Sequence, residues 1–176
     1  MSSRQPKWTA RLGKYLPPRA RVTGGLAQGL MSTAAALLAY LPTKPLGLQE
    51  GFWGSITAIA VVQAELSATH TSARDQFAGA AIGGLIAAVI VSVAGQSLLA
   101  YAVAMTSAIL ACWLFNVASA ARLAGATATI ILLVPHKGSV ATMMLSRIAE
   151  VSWGVAIGIA VVWTVRHVEK ARAPRP

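Results

Sequence analysis

An apolar stretch near the carboxyl end, residues 147–165, constrains the fold more than any other part of the sequence. It consists mostly of Val, Ile, Ala, Gly and Trp. About 20 such residues in a helix cross the roughly 30 Å hydrocarbon core of a bilayer. The stretch therefore predicts a membrane-spanning helix.

One side of this predicted helix is not apolar throughout. Arg147 and Glu150 lie one turn apart, and helical spacing places them on the same side as Gly154 and Gly158. We call these four residues the carboxylate–glycine stripe. Charge inside a membrane is costly and usually faces protein or water, and small residues four apart admit a second helix closely. The stripe predicts a helix that packs in a bundle and presents ionisable groups to a polar pathway.

The composition extends this interpretation to the whole chain. Of its 176 residues, 56% are hydrophobic and 11% are charged, and the mean hydropathy is +0.63. A soluble domain carries about 25% charged residues. The apolar residues also fall in long runs, which in a soluble helical bundle would all need covering by other protein. We therefore interpret the chain as an integral membrane protein.

Charge and cysteine content exclude several other classes. The net charge is +10, but the basic residues lie mainly at the two ends, which fits topology signals and contact with anionic lipids better than nucleic-acid binding. The single cysteine, Cys112, excludes an internal disulfide and a multi-cysteine metal site. The three histidines lack a carboxylate at ligand spacing, so neither a metal nor another cofactor is predicted.

The apolar runs predict an all-α, six-helix membrane bundle. Residues 1–23 form a basic tail, residues 24–166 the membrane domain and residues 167–176 a second basic tail. No cleavable signal peptide is expected. The predicted spans are about 24–41, 51–68, 76–94, 97–115, 117–134 and 147–165.

Six spans place both termini on one side, together with most of the basic residues. The positive-inside rule then puts both termini in the cytoplasm, with the chain in a bacterial inner membrane. The spacing of Asp75, Gly79 and Gly83 also recurs 75 residues later in the carboxylate–glycine stripe. Three spans per copy would make two inverted repeats, as in many transporters. Glycines at this spacing are frequent in membrane helices, so chance similarity is the alternative.

Arg147 and Glu150 are the foremost candidates for function. In a functional interpretation, Arg147 attracts an anion near the periplasmic side, and Glu150 positions that anion or exchanges a proton. The alternative is an i, i+3 ion pair at the membrane interface that only caps the helix.

Five further residues are candidates for the pathway. Glu65, with Gln63 nearby, either lines the pathway and titrates or reaches the interface. Arg122 is either a second cationic point or a topology anchor. Trp53 and Thr57 lie one turn apart and either contact an aromatic ligand or anchor the helix at the interface.

Several of these segments also resemble a known family. Residues 52–62 and 79–83 resemble the first half of the fusaric acid resistance and aromatic acid exporter superfamily. Arg122, Thr127 and residues 147–154 resemble its second half. The resemblance runs from about Gly25 to Val165.

The chain departs from the family pattern in the third span. Gln76 stands where the family has an arginine, and Ala80 where it has a threonine. Many members carry a large cytosolic domain or a second membrane half, which this chain lacks, so the resemblance implies a homo-oligomer. The six-span portion is also similar to that of plant malate channels.

The resemblance implies movement of a small organic anion, and no enzymatic activity. Our first hypothesis is an exporter-like transport protein for organic carboxylates, including aromatic ones. The second is a passive anion channel with the same fold. The third is an accessory or structural membrane protein whose glycine stripes dock onto a larger complex.

Overall fold

The computed structural model describes residues 19–45, 51–134 and 139–172, which are helical apart from short turns. A turn of 3₁₀ helix, Leu41–Thr43, follows the first α-helix, and a second one, Ala118–Ala120, comes directly before the α-helix that begins at Ala121. The described α-helices are α1 Arg19–Tyr40, α2 Phe52–Val61, α3 Leu66–Ala94, α4 Leu98–Leu114, α5 Ala121–Leu133 and α6 Val140–Arg172.

The all-α prediction is confirmed for the described residues, but the helices are not of equal length. Three apolar stretches are long enough to cross a membrane: Arg21–Thr43, Leu66–Ala94 and Val140–Ala171. The helices α2, α4 and α5 are apolar but shorter. With 10 residues, α2 rises about 15 Å, half of a hydrocarbon core. Six full-length spans are therefore not confirmed among the described residues.

The predicted second span, residues 51–68, was wrong as one continuous helix. The helix ends at Val61, Val62 and Glu65 have extended backbone, and α3 begins at Leu66. Polar side chains from neighbouring helices bind the backbone around this break. Gln28 donates from Nε2 to the Val62 carbonyl at 2.8 Å, and Ser72 donates to the Ala60 carbonyl at 2.8 Å. Such bonds make a break tolerable inside a membrane protein.

The long helices α3 and α6 both begin earlier than predicted. The loop expected around His70 and Asp75 belongs to α3, and residues 140–146 of the next expected loop belong to α6. Polar residues in these first turns resemble a loop in sequence, yet a helix can continue beyond the apolar core. Residues 19–23 and 167–172 of the predicted tails are likewise helical. Residues 1–18 and 173–176 lie outside the described part.

The carboxylate–glycine stripe packs against α2, and the two helices run parallel. A Cβ atom added at Gly154 would collide with the Gly54 carbonyl oxygen and with Cβ of Thr57. A Cβ at Gly158 would lie 2.9 Å from the Val61 side chain. Only glycine allows these backbones to approach so closely.

A second glycine pair joins α3 to α5, which also run parallel. A Cβ added at Gly79 would lie 3.0 Å from the Ala120 carbonyl oxygen and 2.5 Å from Cβ of Leu123. At Gly83 it would collide with the backbone of Ala124. Each short helix, α2 or α5, is thus held against a long one through paired glycines.

Substituting Gly154 by alanine should destabilise the fold. The added methyl has no space beside Gly54, so we expect the free energy of unfolding to fall by about 1–3 kcal/mol. The matched control is Gly25→Ala in α1, where a Cβ meets nothing within 4 Å and helix propensity favours alanine by up to about 1 kcal/mol. Thermal unfolding in detergent, followed by circular dichroism, measures both. Equal midpoints for the two variants would contradict the packing described.

Candidate functional site

Arg147 lies at the centre of a buried polar cluster. The residue is 5% exposed, and its Nη1 donates to Oε2 of Glu150 at 2.9 Å. The guanidinium carbon lies 4.3 Å from the centroid of the Trp53 ring. Ser146 donates from its hydroxyl to the other Glu150 oxygen at 3.0 Å. The cluster combines a cation, a carboxylate, a hydroxyl and an aromatic face.

Two helices bring these four residues together. On α6, positions 146, 147 and 150 share one side because residues three and four apart are helical neighbours. Trp53 comes from the first turn of α2, which the Gly154 contact holds parallel to α6. The Arg147 and Glu150 side chains are 6% and 14% exposed. Breaking a buried pair of this kind by removing one partner costs about 3–5 kcal/mol.

A cavity of about 320 Å³ adjoins the cluster. Glu150 and Ser146 line it, and Arg147, which pairs with Glu150, is not among the lining residues. Trp153 also faces it and donates its indole N–H to the Ala39 carbonyl at 3.0 Å. The volume is at the small end of ligand pockets, about 300–1,000 Å³. The lining residues are Pro42, Thr43, Gly51, Gly54, Ser146, Ala149, Glu150 and Trp153.

The other predicted residues lie elsewhere. Thr57 is 4% exposed and sits in the helix contact with Gly154, one turn from Trp53. Glu65 is exposed and precedes the first turn of α3. Gln63 lines a second cavity, of about 520 Å³, together with Asp75. The structure therefore joins only Trp53, Arg147 and Glu150 of the predicted set.

Arg122 is exposed and lines a third cavity, of about 350 Å³. Ser72 and Asp75 border both this cavity and the second one. Gln63 and Arg122 thus line two different cavities, which share Asp75 and do not have Arg147 among their lining residues.

Asp75 was not among the predicted site residues. Its side chain is 13% exposed and accepts from Arg74 Nη2 at 3.2 Å. It also accepts from the Ser119 hydroxyl at 2.9 Å. The signal that could have found it was the 75-residue repeat, which pairs Asp75 with Glu150. Ser146 and Ser119 gave no signal in the sequence.

Within the described ranges, no group of three or more His, Cys, Asp or Glu side chains could hold a metal ion. Long apolar helices around a buried ion pair define an all-helical, multi-pass membrane protein. The chain matches a protein-family model described as fusaric acid resistance protein-like over residues 33–161. It belongs to this family, which is one of membrane transport proteins and not of enzymes. Comparison with curated proteins and with solved structures gave no match.

Replacing Glu150 by glutamine should destabilise the protein strongly. The variant removes the carboxylate from the buried guanidinium, so we expect the free energy of unfolding to fall by about 3 kcal/mol or more. The control is Glu169→Gln, because Glu169 pairs with Arg166 at the same i, i+3 spacing and 3.0 Å but is 58% exposed. An exposed pair contributes about 0–1 kcal/mol. Similar losses in both variants, measured by unfolding in detergent, would contradict the burial of the Arg147 pair.

Proposed function

We propose that this chain transports small organic carboxylate anions across the membrane, including aromatic ones, in the direction of export. The observation that carries the proposal is the burial of the Arg147 guanidinium between the Glu150 carboxylate and the Trp53 ring, beside a cavity. Family membership supports transport in general. The substrate class is our inference from the chemistry of the cluster.

A guanidinium binds a carboxylate through two parallel hydrogen bonds. Glu150 accepts from Arg147 in the structure and also lines the cavity. A substrate carboxylate entering this cavity meets Glu150 first and can replace it on Arg147 when Glu150 takes up a proton. Anion binding and proton uptake would thus be linked at one pair. Glu65, the other proposed proton carrier, is exposed and lines none of the cavities described above.

The aromatic residues support a preference for a ring-bearing anion. Trp53 already packs on the guanidinium, and Trp153 lines the cavity. Most of the other lining groups are apolar or small. A flat ring attached to a carboxylate would lie against Trp153 in the cavity and approach Trp53 only where its charge reached Arg147.

We further propose the arrangement in the membrane. The six helices form one bundle of two inverted repeats, α1–α3 and α4–α6, in which the long final helix of each half holds the short helix of the other half through paired glycines. The termini are cytoplasmic in a bacterial inner membrane, with the basic ends on anionic lipid. The short helices and many exposed large apolar side chains support assembly as a homo-oligomer.

Arg147→Gln should abolish transport. We expect benzoate flux into liposomes that contain the purified protein to fall at least about tenfold, since a charge-assisted hydrogen bond contributes about 1.5–3 kcal/mol. Arg147→Lys keeps the charge but loses the paired donors, and we expect intermediate flux. The control is Arg166→Gln, which removes an exposed arginine with the same spacing to its partner.

Wild-type flux from folded Arg147→Gln protein would rule out the mechanism. Flux that ignores an imposed pH gradient would instead favour a passive anion channel. No flux from the wild-type protein, together with a stoichiometric unrelated partner in native membranes, would favour the accessory role.

Trp53→Leu should weaken the preference for aromatic anions. Loss of the ring contact, about 0.5–1.5 kcal/mol, predicts a fall of roughly 2- to 10-fold in the ratio of benzoate flux to acetate flux. Trp113→Leu is the control, because Trp113 is 68% exposed on α4. An unchanged ratio in Trp53→Leu would mean that Trp53 only orients Arg147.

A further inference from the structure

Asp75 and Glu150 make polar contacts of the same kind, although Ser119 comes from another segment and Ser146 from the same helix. Each carboxylate accepts from one arginine, at 3.2 Å and 2.9 Å, and from one serine hydroxyl, at 2.9 Å and 3.0 Å. Their side chains are 13% and 14% exposed. Each lines a cavity, of about 350 Å³ and 320 Å³. Two acids with such similar contacts indicate two related sites.

The helix contacts that follow each acid by four residues involve equivalent atoms. An added Cβ at Gly79, four residues after Asp75, meets the Ala120 carbonyl, the Leu123 Cβ and the Ala124 nitrogen. The three atoms that the added Cβ meets are thus the carbonyl oxygen of one residue, the Cβ of the residue three positions later and the nitrogen of the residue four positions later.

The stripe on α6 repeats that pattern. An added Cβ at Gly154, four residues after Glu150, meets the Gly54 carbonyl, the Thr57 Cβ and the Ala58 nitrogen. The second glycines, Gly83 and Gly158, then meet the next carbonyl along, of Ala124 and Ala58. Such agreement in atoms and register is more specific than a shared spacing of glycines.

The two acids lie at similar depth. Gly84 on α3 faces Met144 on α6, and these helices run in opposite directions. Asp75 precedes Gly84 by about nine residues. Because both helices rise about 1.5 Å per residue in opposite directions, Asp75 is level with the position about nine residues after Met144, which is residue 153. This is within one turn of Glu150.

The cavities beside the two acids open toward opposite ends of the bundle. Thr43 and Gly51, at the α1–α2 connection, line the Glu150 cavity. Ser119, at the α4–α5 connection, lines the Asp75 cavity with Arg122. Consecutive helices between these connections are antiparallel. Ser72 on α3 binds the Ala60 carbonyl of α2, and the core clusters pair α3 with α4, and α4 with α5, in antiparallel order. Three helices of alternating direction, α2, α3 and α4, separate the two connections, so the connections face opposite ends of the bundle.

We infer that the Asp75 cavity is a second station for the same carboxylate anion, entered from the opposite side of the membrane to the Glu150 cavity. This inference rests on the proposed transport function. Arg122 and Arg74 supply the positive charge there, and Asp75 holds Arg74 and Ser119 as Glu150 holds Arg147 and Ser146. Arg74 is 63% exposed whereas Arg147 is 6% exposed. The arginine of the second station is therefore open to water, whereas that of the first is buried.

The matched serines provide a direct test. Cys112 is the chain's only cysteine, so Cys112→Ala gives a background in which Ser119→Cys and Ser146→Cys each add one thiol. Membrane vesicles of both orientations are treated with an anionic, membrane-impermeant thiosulfonate, with and without benzoate. We expect labelling of the two thiols from opposite sides, and slowing of each several-fold by benzoate. Ser92→Cys is the control for protection, because the Ser92 hydroxyl only donates to its own helix at Val89.

The outcomes separate this inference from the proposed function. Labelling of both thiols from one side, or protection at position 146 without protection at 119, overturns the second station and leaves the first intact. Benzoate flux should also fall several-fold in Arg122→Gln, and normal flux in that variant overturns the inference while Arg147→Gln remains the test of function. Absence of wild-type flux and of protection at both positions overturns the two together.

Discussion

The close approach of α2 to α6 is the constraint on which the site depends. Gly154 lets the backbone of α6 touch the backbone of α2 at Gly54, and any larger residue would move the helices apart. At this separation Trp53 reaches the guanidinium of Arg147, about two turns of α6 away from the contact. A cation–π contact and a hydrogen-bonded ion pair then hold the same side chain from two directions. The glycines thus affect the site by setting the distance between α2 and α6, and not through a side chain of their own.

The short helices have a physical consequence for a protein in a bilayer. A helix of 10 residues cannot satisfy its terminal backbone groups with water if they lie within hydrocarbon. Here Gln28, Thr69 and Ser72 supply hydrogen bonds at the break between α2 and α3. Breaks of this kind are common at substrate sites of transporters, which agrees with the family to which the chain belongs.

The two ion pairs differ chiefly in the exposure of the arginine, 63% for Arg74 and 6% for Arg147. Glu150 and Arg147 form a buried pair, and in low dielectric their attraction is strong only while both remain charged and hydrogen-bonded. Asp75 pairs with an exposed arginine, where water screens the interaction. A solute that exchanges with such a pair meets little resistance at Asp75 and much more at Glu150. In the proposed pathway, the Arg147 pair would therefore be the selective step.

The sequence by itself determined the class of protein and the identity of its central pair. Long apolar runs required a membrane, helical spacing put Arg147 and Glu150 on one side of α6, and short motifs pointed to the family that the comparison then showed. Periodicity shows only which residues share a face of one helix, so it could not predict which helices pack together. The end of α2 at Val61 depends on side chains up to 34 residues distant, and Pro and Gly are absent there. The contact of Trp53 with Arg147, the place of Thr57 in a helix interface and the serine bound to Asp75 were likewise decided only by tertiary structure, because each joins residues that are remote in the chain and close only after the helices pack.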